Sequence, residues 1–335
     1  MTAEIVAVDA ASPDPEVIAR AAATLRRGEL VAIPTETVYG LAANALDADA
    51  VARIYAAKER PAFNPVIVHL ADTSDLPRVA REVPSIAHDL MRRFWPGPLT
   101  LVLHRQPAVP DIVTAGLDTV GVRIPASEVT RALIRTAGVP LAAPSANLFT
   151  RVSPTTAAHV ARQLGDRLSM ILDAGPARVG IESTVLDLTR TPPRLLRPGG
   201  TPQSDIESVI GPVERSMAAS GDAPRPSPGM VERHYAPRTT LRLFESARLD
   251  EVLGVAERMR GHGTRVVVVT RQGANAHGAG IRFMPDTVDA YAGALYSMLH
   301  ELEEHDVEVA FVEQPPSESA WDAIRDRLRR ASTSD

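Results

Sequence analysis

Leu30-Val-Ala-Ile-Pro34-Thr-Glu-Thr-Val-Tyr-Gly40 joins an apolar, strand-like run to a turn crowded with hydroxyls, a carboxylate and a glycine. Ahead of it, 15–27 carries helical apolar spacing. Behind it, helical stretches at 48–58, 85–94, 129–137 and 155–164 alternate with strand-like runs at 66–70, 99–103, 120–124, 141–143, 170–173 and 184–188. The alternation predicts an α/β domain, and connections too short for helical crossovers predict a mixed sheet. Ser153 and Pro154 read as N-cap and first residue of the helix at 155–164. The turn at 34–40 can offer several polar groups to a small ligand, or it is an ordinary strand-to-helix turn capped by threonine.

The chain has 335 residues, 44% hydrophobic, with a formal charge of −5. It can therefore bury a large core and divide into two domains. We read an α/β domain over 1–212, a Pro/Ser/Gly-rich linker or lid over 213–239, and a small α/β domain over 240–335. The last runs strand 241–244, helix 249–260, strands 265–270 and 281–284, helix 288–304, strand 308–312, helix 318–330. Cysteine is absent, which excludes disulfides, thiolate nucleophiles and Cys-based metal sites. The nine histidines lack metal-ligand spacing. The first thirty residues are not a signal peptide and no run has membrane-spanning length, so a cytoplasmic protein without membrane partners is expected.

Of the 36 basic residues, all but Lys58 are arginine. Either one lysine escaped a compositional bias, or this position wants a compact ammonium that a guanidinium cannot replace. Lys58-Glu-Arg60 ends a predicted helix, where cations suit the dipole. With Asn64 close behind, the two cations would also suit a triphosphate. His69 reads first as a satisfied core histidine, and Trp95-Pro-Gly-Pro-Leu-Thr100 as a rigid, aromatic-anchored turn. Arg123 lies on a strand whose alternate positions, Val120, Val122 and Ile124, are apolar. It must reach solvent at an edge or pair with a buried carboxylate or ligand. Ala142-Ala-Pro-Ser145-Ala-Asn147, Ser153-Pro-Thr, Gly180-Ile-Glu-Ser183 and Leu196-Arg197-Pro-Gly-Gly200 add small residues, hydroxyls and another cation. No phosphate loop, dinucleotide fingerprint or serine elbow is present, so any nucleotide site must be assembled from separate segments.

In this order, PTETVYGLAANA, KERPAFNPVIVH, WPGPLT, GLDTVGVRIP, AAPSAN, ILDAG, GIESTV, LRPGG and the linker string SPGMVERHYAP resemble the YrdC/Sua family of threonylcarbamoyl-AMP synthases. The form resembled is the long one with an additional C-terminal domain. The resemblance implies a YrdC-like open twisted mixed sheet with a concave cavity, followed by a small Rossmann-like domain. It implies a nucleotidyltransferase that converts L-threonine, bicarbonate and ATP to threonylcarbamoyl-AMP, pyrophosphate and water, with Mg2+ accompanying ATP. A downstream tRNA threonylcarbamoyltransferase would take the product, and contact with tRNA itself is allowed but not required.

By position in the motifs, Thr37, His69, Arg123, Ala143 and Ser183 are expected at threonine. Arg60, Asn64, Thr119, Ser145, Ser153, Arg197 and Tyr235 are expected at ATP, with Lys58 beside the phosphates and Lys58 and Arg60 as the catalytic cations. The family usually has histidine where this chain has Ser127, and no general base is evident. The rival reading is an RNA-binding or tRNA-binding module without ATP turnover, which the 4% aromatic content argues against. Carbamoyl transfer from carbamoyl phosphate would need cysteine-rich segments that this chain lacks.

Overall fold

A computed structural model of the chain describes residues 2–215, 234–271 and 280–332. They group into two units: 2–149 with 153–215, and 150–152 with the described residues from 234 onward. The three-residue excursion at 150–152 has no signature in the sequence.

The first unit is a mixed sheet. Its strands run in the order Glu4–Ala7, Met170–Asp173, Val31–Ile33, Gly40–Asn44, Leu141–Ala142, Val68–His69, Thr119–Arg123, Leu99–Arg105, Thr184–Asp187, Arg194–Arg197 and Glu214–Arg215. Ala80–Arg81 pairs with Leu99–Arg105 outside that path. Parallel pairs such as Val68 with Val122 and antiparallel pairs such as Leu101 with Val122 occur side by side.

Strand alternation divides the apolar residues between the two faces. Ala32, Leu41, Ala43, Ala142 and Ile171 enter the larger core, whereas Val31, Ile33, Ala42, Leu141 and Leu172 enter a second one. The second core is roofed by helices Pro15–Arg26 and Glu128–Ala137, which contribute Ile18, Leu25, Leu133 and Ile134. The first helix starts where Asp14 accepts the Glu16 N–H at 2.8 Å with proline next in line, as N-terminal chemistry dictates.

Two local expectations are corrected. The turn at 34–40 leads not into a helix but into the strand Gly40–Asn44, antiparallel to Val31–Ile33. Small apolar residues there fit between two strands, and pairing with Leu141–Ala142 settles the conformation. The helix expected at 155–164 is Ala157–Leu164, capped by Thr156 rather than Ser153. The Ser153 hydroxyl is engaged elsewhere, donating to Glu182 Oε1 at 2.7 Å. Strands Glu4–Ala7 and Arg194–Arg197 and helix Gln203–Ile210 carry little periodic signal and were not anticipated.

The second unit has strands Thr240–Phe244, Val309–Glu313, Val266–Thr270 and Ile281–Phe283 in that spatial order, all parallel. Helices Leu249–Gly261, Val288–Glu304 and Asp322–Ala331 complete it. The last was expected to begin at 318, but Ser319–Trp321 is a short 3-10 turn. Within this unit the Thr150 carbonyl accepts the Ala236 N–H at 2.9 Å. Of the expected linker, 216–233 lies outside the described residues, Glu214–Arg215 extends the first sheet, and 234–239 belongs to the second unit. Among the described residues no helix is long and apolar enough to cross a membrane.

Candidate active site

Past the two roofing helices, the same face of the first sheet turns polar. Val120 and Val122 point into the larger core, so Thr119, Gly121 and Arg123 point the other way. By the same alternation His69 and Thr100 join that face, because Val68, Leu99 and Leu101 belong to the core. A slot there is lined by Ile67, Thr100, Val102, Thr119, Gly121 and Val185. Its floor is open because residue 121 is glycine: a Cβ would stand 3.3 Å from Thr100 Cγ2.

Arg123 is 3% exposed, and of the two fates open to it in the sequence it takes the buried carboxylate. Its Nη2 lies 2.7 Å from Glu36 Oε2, its Nη1 donates to Thr37 Oγ1 at 3.0 Å, and its Nε donates to the Gly97 carbonyl at 3.1 Å. The Trp95–Thr100 turn therefore has a purpose beyond rigidity. Trp95 Nε1 donates to the Leu99 carbonyl at 2.7 Å and Gly97 N to the Ile124 carbonyl at 2.8 Å, fixing the oxygen that aims Arg123.

Several buried atoms of this unit have no hydrogen-bond partner among the described residues: both carboxylate oxygens of Glu36, Arg123 Nη2, His69 Nδ1 and, on the segment after Arg60, the side-chain oxygen and nitrogen of Asn64. Glu36 and Arg123 attract each other as charges but are not aligned to hydrogen-bond. Buried polar atoms are nearly always satisfied, so orphans on Arg123, on Glu36 against it and on His69 paired with it mark a place that a polar ligand completes. Burial, reinforced by the Arg123 charge, pushes the His69 pKa down to about 3, and the ring is neutral at pH 7.

Lys58 is 1% exposed. Its Nζ donates to the Ser145 carbonyl at 2.5 Å and to the Asn147 carbonyl, which ties the end of helix Ala48–Lys58 to the loop that starts at Pro144. Burial, and secondarily the charge of Arg60, holds its pKa well below the usual lysine value. Arg60 donates to the carbonyls of Asn64 and Pro65 at 3.0 and 2.6 Å. Both cations expected at phosphates thus also brace the backbone that forms the site.

Ser145 bridges to Gly40, and Ala143 N donates to the Ile67 carbonyl at 3.0 Å. Ser183 Oγ lies 2.8 Å from Thr100 Oγ1, and Arg197 donates to the Ser183 carbonyl at 3.1 and 2.8 Å and to its Oγ at 3.2 Å. Gly199 has to be glycine, because a Cβ would sit 2.4 Å from the backbone of Glu182, Ser183 and Thr184. Ser127, where the family resemblance leads one to expect histidine, caps helix Glu128–Ala137 by accepting the Thr130 N–H at 3.4 Å. Tyr235 belongs to the second unit, where it is buried with its ring 5.0 Å from the Arg327 guanidinium and 5.7 Å from Tyr296.

Sequence reasoning gave no role to Glu36, Thr100 or Gly97. A signal for Glu36 existed: an acid between threonines beside an apolar strand needs a cation, and Arg123 in an equally apolar strand needs an anion. Among the described residues, no group of three or more His, Asp or Glu side chains is placed to hold a metal ion.

A family model described as "Telomere recombination" matches residues 23–199, and one described as "Threonylcarbamoyl-AMP synthase, C-terminal domain" matches 202–333. The threonylcarbamoyl-AMP synthase of Pyrococcus abyssi is 44% identical over 319 residues, 93% of each chain. That of Bacillus subtilis is 44% identical over 328 residues, 95% of this chain and 93% of that one. The crystal structure of P. abyssi Sua5 complexed with L-threonine superposes with a TM-score of 0.92 at 41% identity, covering 98% of this chain and 97% of the other. Two family models in tandem and relatives matched along nearly their whole length leave one assignment: the chain belongs to the threonylcarbamoyl-AMP synthase family, in the form that carries the additional C-terminal domain.

Proposed function

We propose that this protein converts L-threonine, bicarbonate and ATP into L-threonylcarbamoyl-adenylate, pyrophosphate and water. The observation that carries this reading is the cluster of buried, unpartnered polar atoms around Arg123, in a chain alignable end to end with a relative crystallised with L-threonine. A guanidinium can grip a carboxylate through two parallel hydrogen bonds, which makes Arg123 the anchor for the threonine carboxylate. Thr37, His69, Ala143 and Ser183 surround it. A neutral His69 adds a hydrogen-bonding group without a competing charge.

ATP takes the Lys58, Arg60, Asn64, Thr119, Ser145, Ser153 and Arg197 side, and Tyr235 is assigned to the nucleotide from its motif. The threonine nitrogen attacks bicarbonate, and a carbamate oxygen then attacks the α-phosphorus with pyrophosphate leaving. Two of the three Lys58 donors hold backbone carbonyls, which leaves the third for a phosphate oxygen. Lys58 and Arg60 stabilise the charge that grows on the leaving pyrophosphate, and Mg2+ arrives on the triphosphate and shares that load. Carbamates are short-lived in water, so a closed site favours the second step. The acyl-adenylate suits a tRNA threonylcarbamoyltransferase as the next enzyme.

Purified protein given ATP, labelled bicarbonate and threonine should release pyrophosphate only when all three are present and should place the label in an acid-labile nucleotide. Salt-dependent tRNA binding without ATP turnover would favour the RNA-binding reading instead.

A further inference from the structure

We propose that Glu36 receives the proton of the threonine ammonium, and so acts as the base that frees the amine to attack bicarbonate. This rests on the reaction assigned above. At neutral pH the threonine nitrogen is an ammonium with no lone pair, and it must lose a proton before it can form a bond to carbon. In an α-amino acid, the bond lengths around Cα keep the ammonium within about 3 Å of the nearer carboxylate oxygen. A carboxylate anchored on Arg123 therefore brings its own ammonium to whatever adjoins Arg123.

Among the described residues, three groups touch the Arg123 guanidinium: the Gly97 carbonyl, the Thr37 hydroxyl and the Glu36 carboxylate. Among them the carboxylate alone is an anionic oxygen base that can take a proton from an ammonium held against it. Glu36 is 7% exposed, and neither of its oxygens has a hydrogen-bond partner among the described residues. Among the described residues, Arg123 is the one charged side chain in ion-pair contact with it. His69 pairs with Arg123 across the neighbouring strand, and its pKa near 3 makes it a poor proton acceptor at neutral pH. Of the other buried acids near the site residues in sequence, Glu182 already accepts from Ser153 and Asp187 from Thr189.

The Arg123–Glu36 pair thus matches a zwitterion: it can separate into two pairs, guanidinium with substrate carboxylate and Glu36 with substrate ammonium. Once the substrate carboxylate occupies the guanidinium, Glu36 exchanges its cation for the substrate ammonium, the group whose proton it takes. The step balances. The ammonium proton moves to Glu36; the amine nitrogen bonds to the bicarbonate carbon; the carbon–hydroxyl bond breaks, and the hydroxyl leaves as water with the second nitrogen proton. Carbamate, water and protonated Glu36 remain, and Glu36 returns its proton to solvent before the next cycle.

The test is Glu36→Gln, which keeps the shape of the side chain but cannot take the proton. ATP affinity should change less than twofold. Labelled adenylate formed at pH 7 should fall by about 100-fold or more, and should recover about tenfold per pH unit toward the pKa of the amine, while the unaltered protein shows no such rise. A loss equal at every pH would make Glu36 only a support for Arg123 and overturn the proposal, as would no loss at all. If the variant does not fold by circular dichroism, the unaltered protein decides through 3-hydroxybutyrate, which is threonine without its amine. Binding at least tenfold weaker than threonine is expected, and equal binding overturns the assignment. Failure of the unaltered protein to form any bicarbonate-dependent nucleotide would instead reject the reaction itself.

Discussion

Lys58 closes its helix almost wholly buried, with two backbone carbonyls converging on one ammonium. A planar guanidinium cannot reproduce that convergence, because its donors diverge in a fixed fork. Lys58→Arg should therefore fold with a lower thermal midpoint and lose about 2 to 4 kcal/mol of transition-state stabilisation, read as product formed per unit time. A folded variant with unaltered rate would reduce the single lysine to an accident of composition. The sequence did single out this residue, since a chain so rich in arginine retained one lysine. It also placed Arg123 correctly between two fates, by the apolar alternation of its strand. What it could not supply was the partner. Glu36 and Arg123 are 87 positions apart, and only the strand order joins them. For the same reason the Ser153 hydroxyl passed for a helix cap: its acceptor, Glu182, is 29 residues away.

Among the elements, the strand Arg194–Arg197 and the glycines after it form the back wall of the site. Gly199 packs against the backbone at Glu182–Thr184 so closely that a methyl group has no room. Gly199→Ala should push that segment forward, cost about 1 to 3 kcal/mol in stability and weaken threonine binding through Ser183. Gly261→Ala is the control, since a Cβ there meets nothing within 4 Å. Calorimetry on both variants should show a lowered midpoint and weaker threonine affinity at 199 and neither at 261. Equal behaviour would mean that the wall is soft. Long, periodic elements such as Pro15–Arg26, Ser85–Phe94 and Val288–Glu304 were legible almost to the residue. Gly40–Asn44 was not, because Gly-Leu-Ala-Ala-Asn is too short and too weakly periodic to separate strand from helix before its neighbours are known.

At the scale of the whole molecule, both cores of the first sheet are assembled from residues between Ala3 and Val213, while the cluster in the second unit runs from Phe244 to Phe311. A fragment ending at residue 215 should therefore unfold in one cooperative thermal transition. From the linker motif, we expect it to form little adenylate until the remaining chain is added in trans. A fragment as productive as the full chain would leave the linker a mere spacer, and one that never folds would show that the first unit depends on the second. The composition changes over 213–239, whereas the transfer of Thr150–Val152 to the second unit goes with a backbone contact to residue 236 that no local pattern announces. The span of the two cores also bears on how the chain is made. Domains fold as units while the ribosome is still at work, the N-terminal one first. By the time Phe244 is added, the described residues of both of those cores have been synthesised. The slowest task, pairing strands as far apart as Glu4–Ala7 and Met170–Asp173, can then proceed on a tethered nascent chain, before the apolar strands of the second unit emerge to compete for the same surfaces.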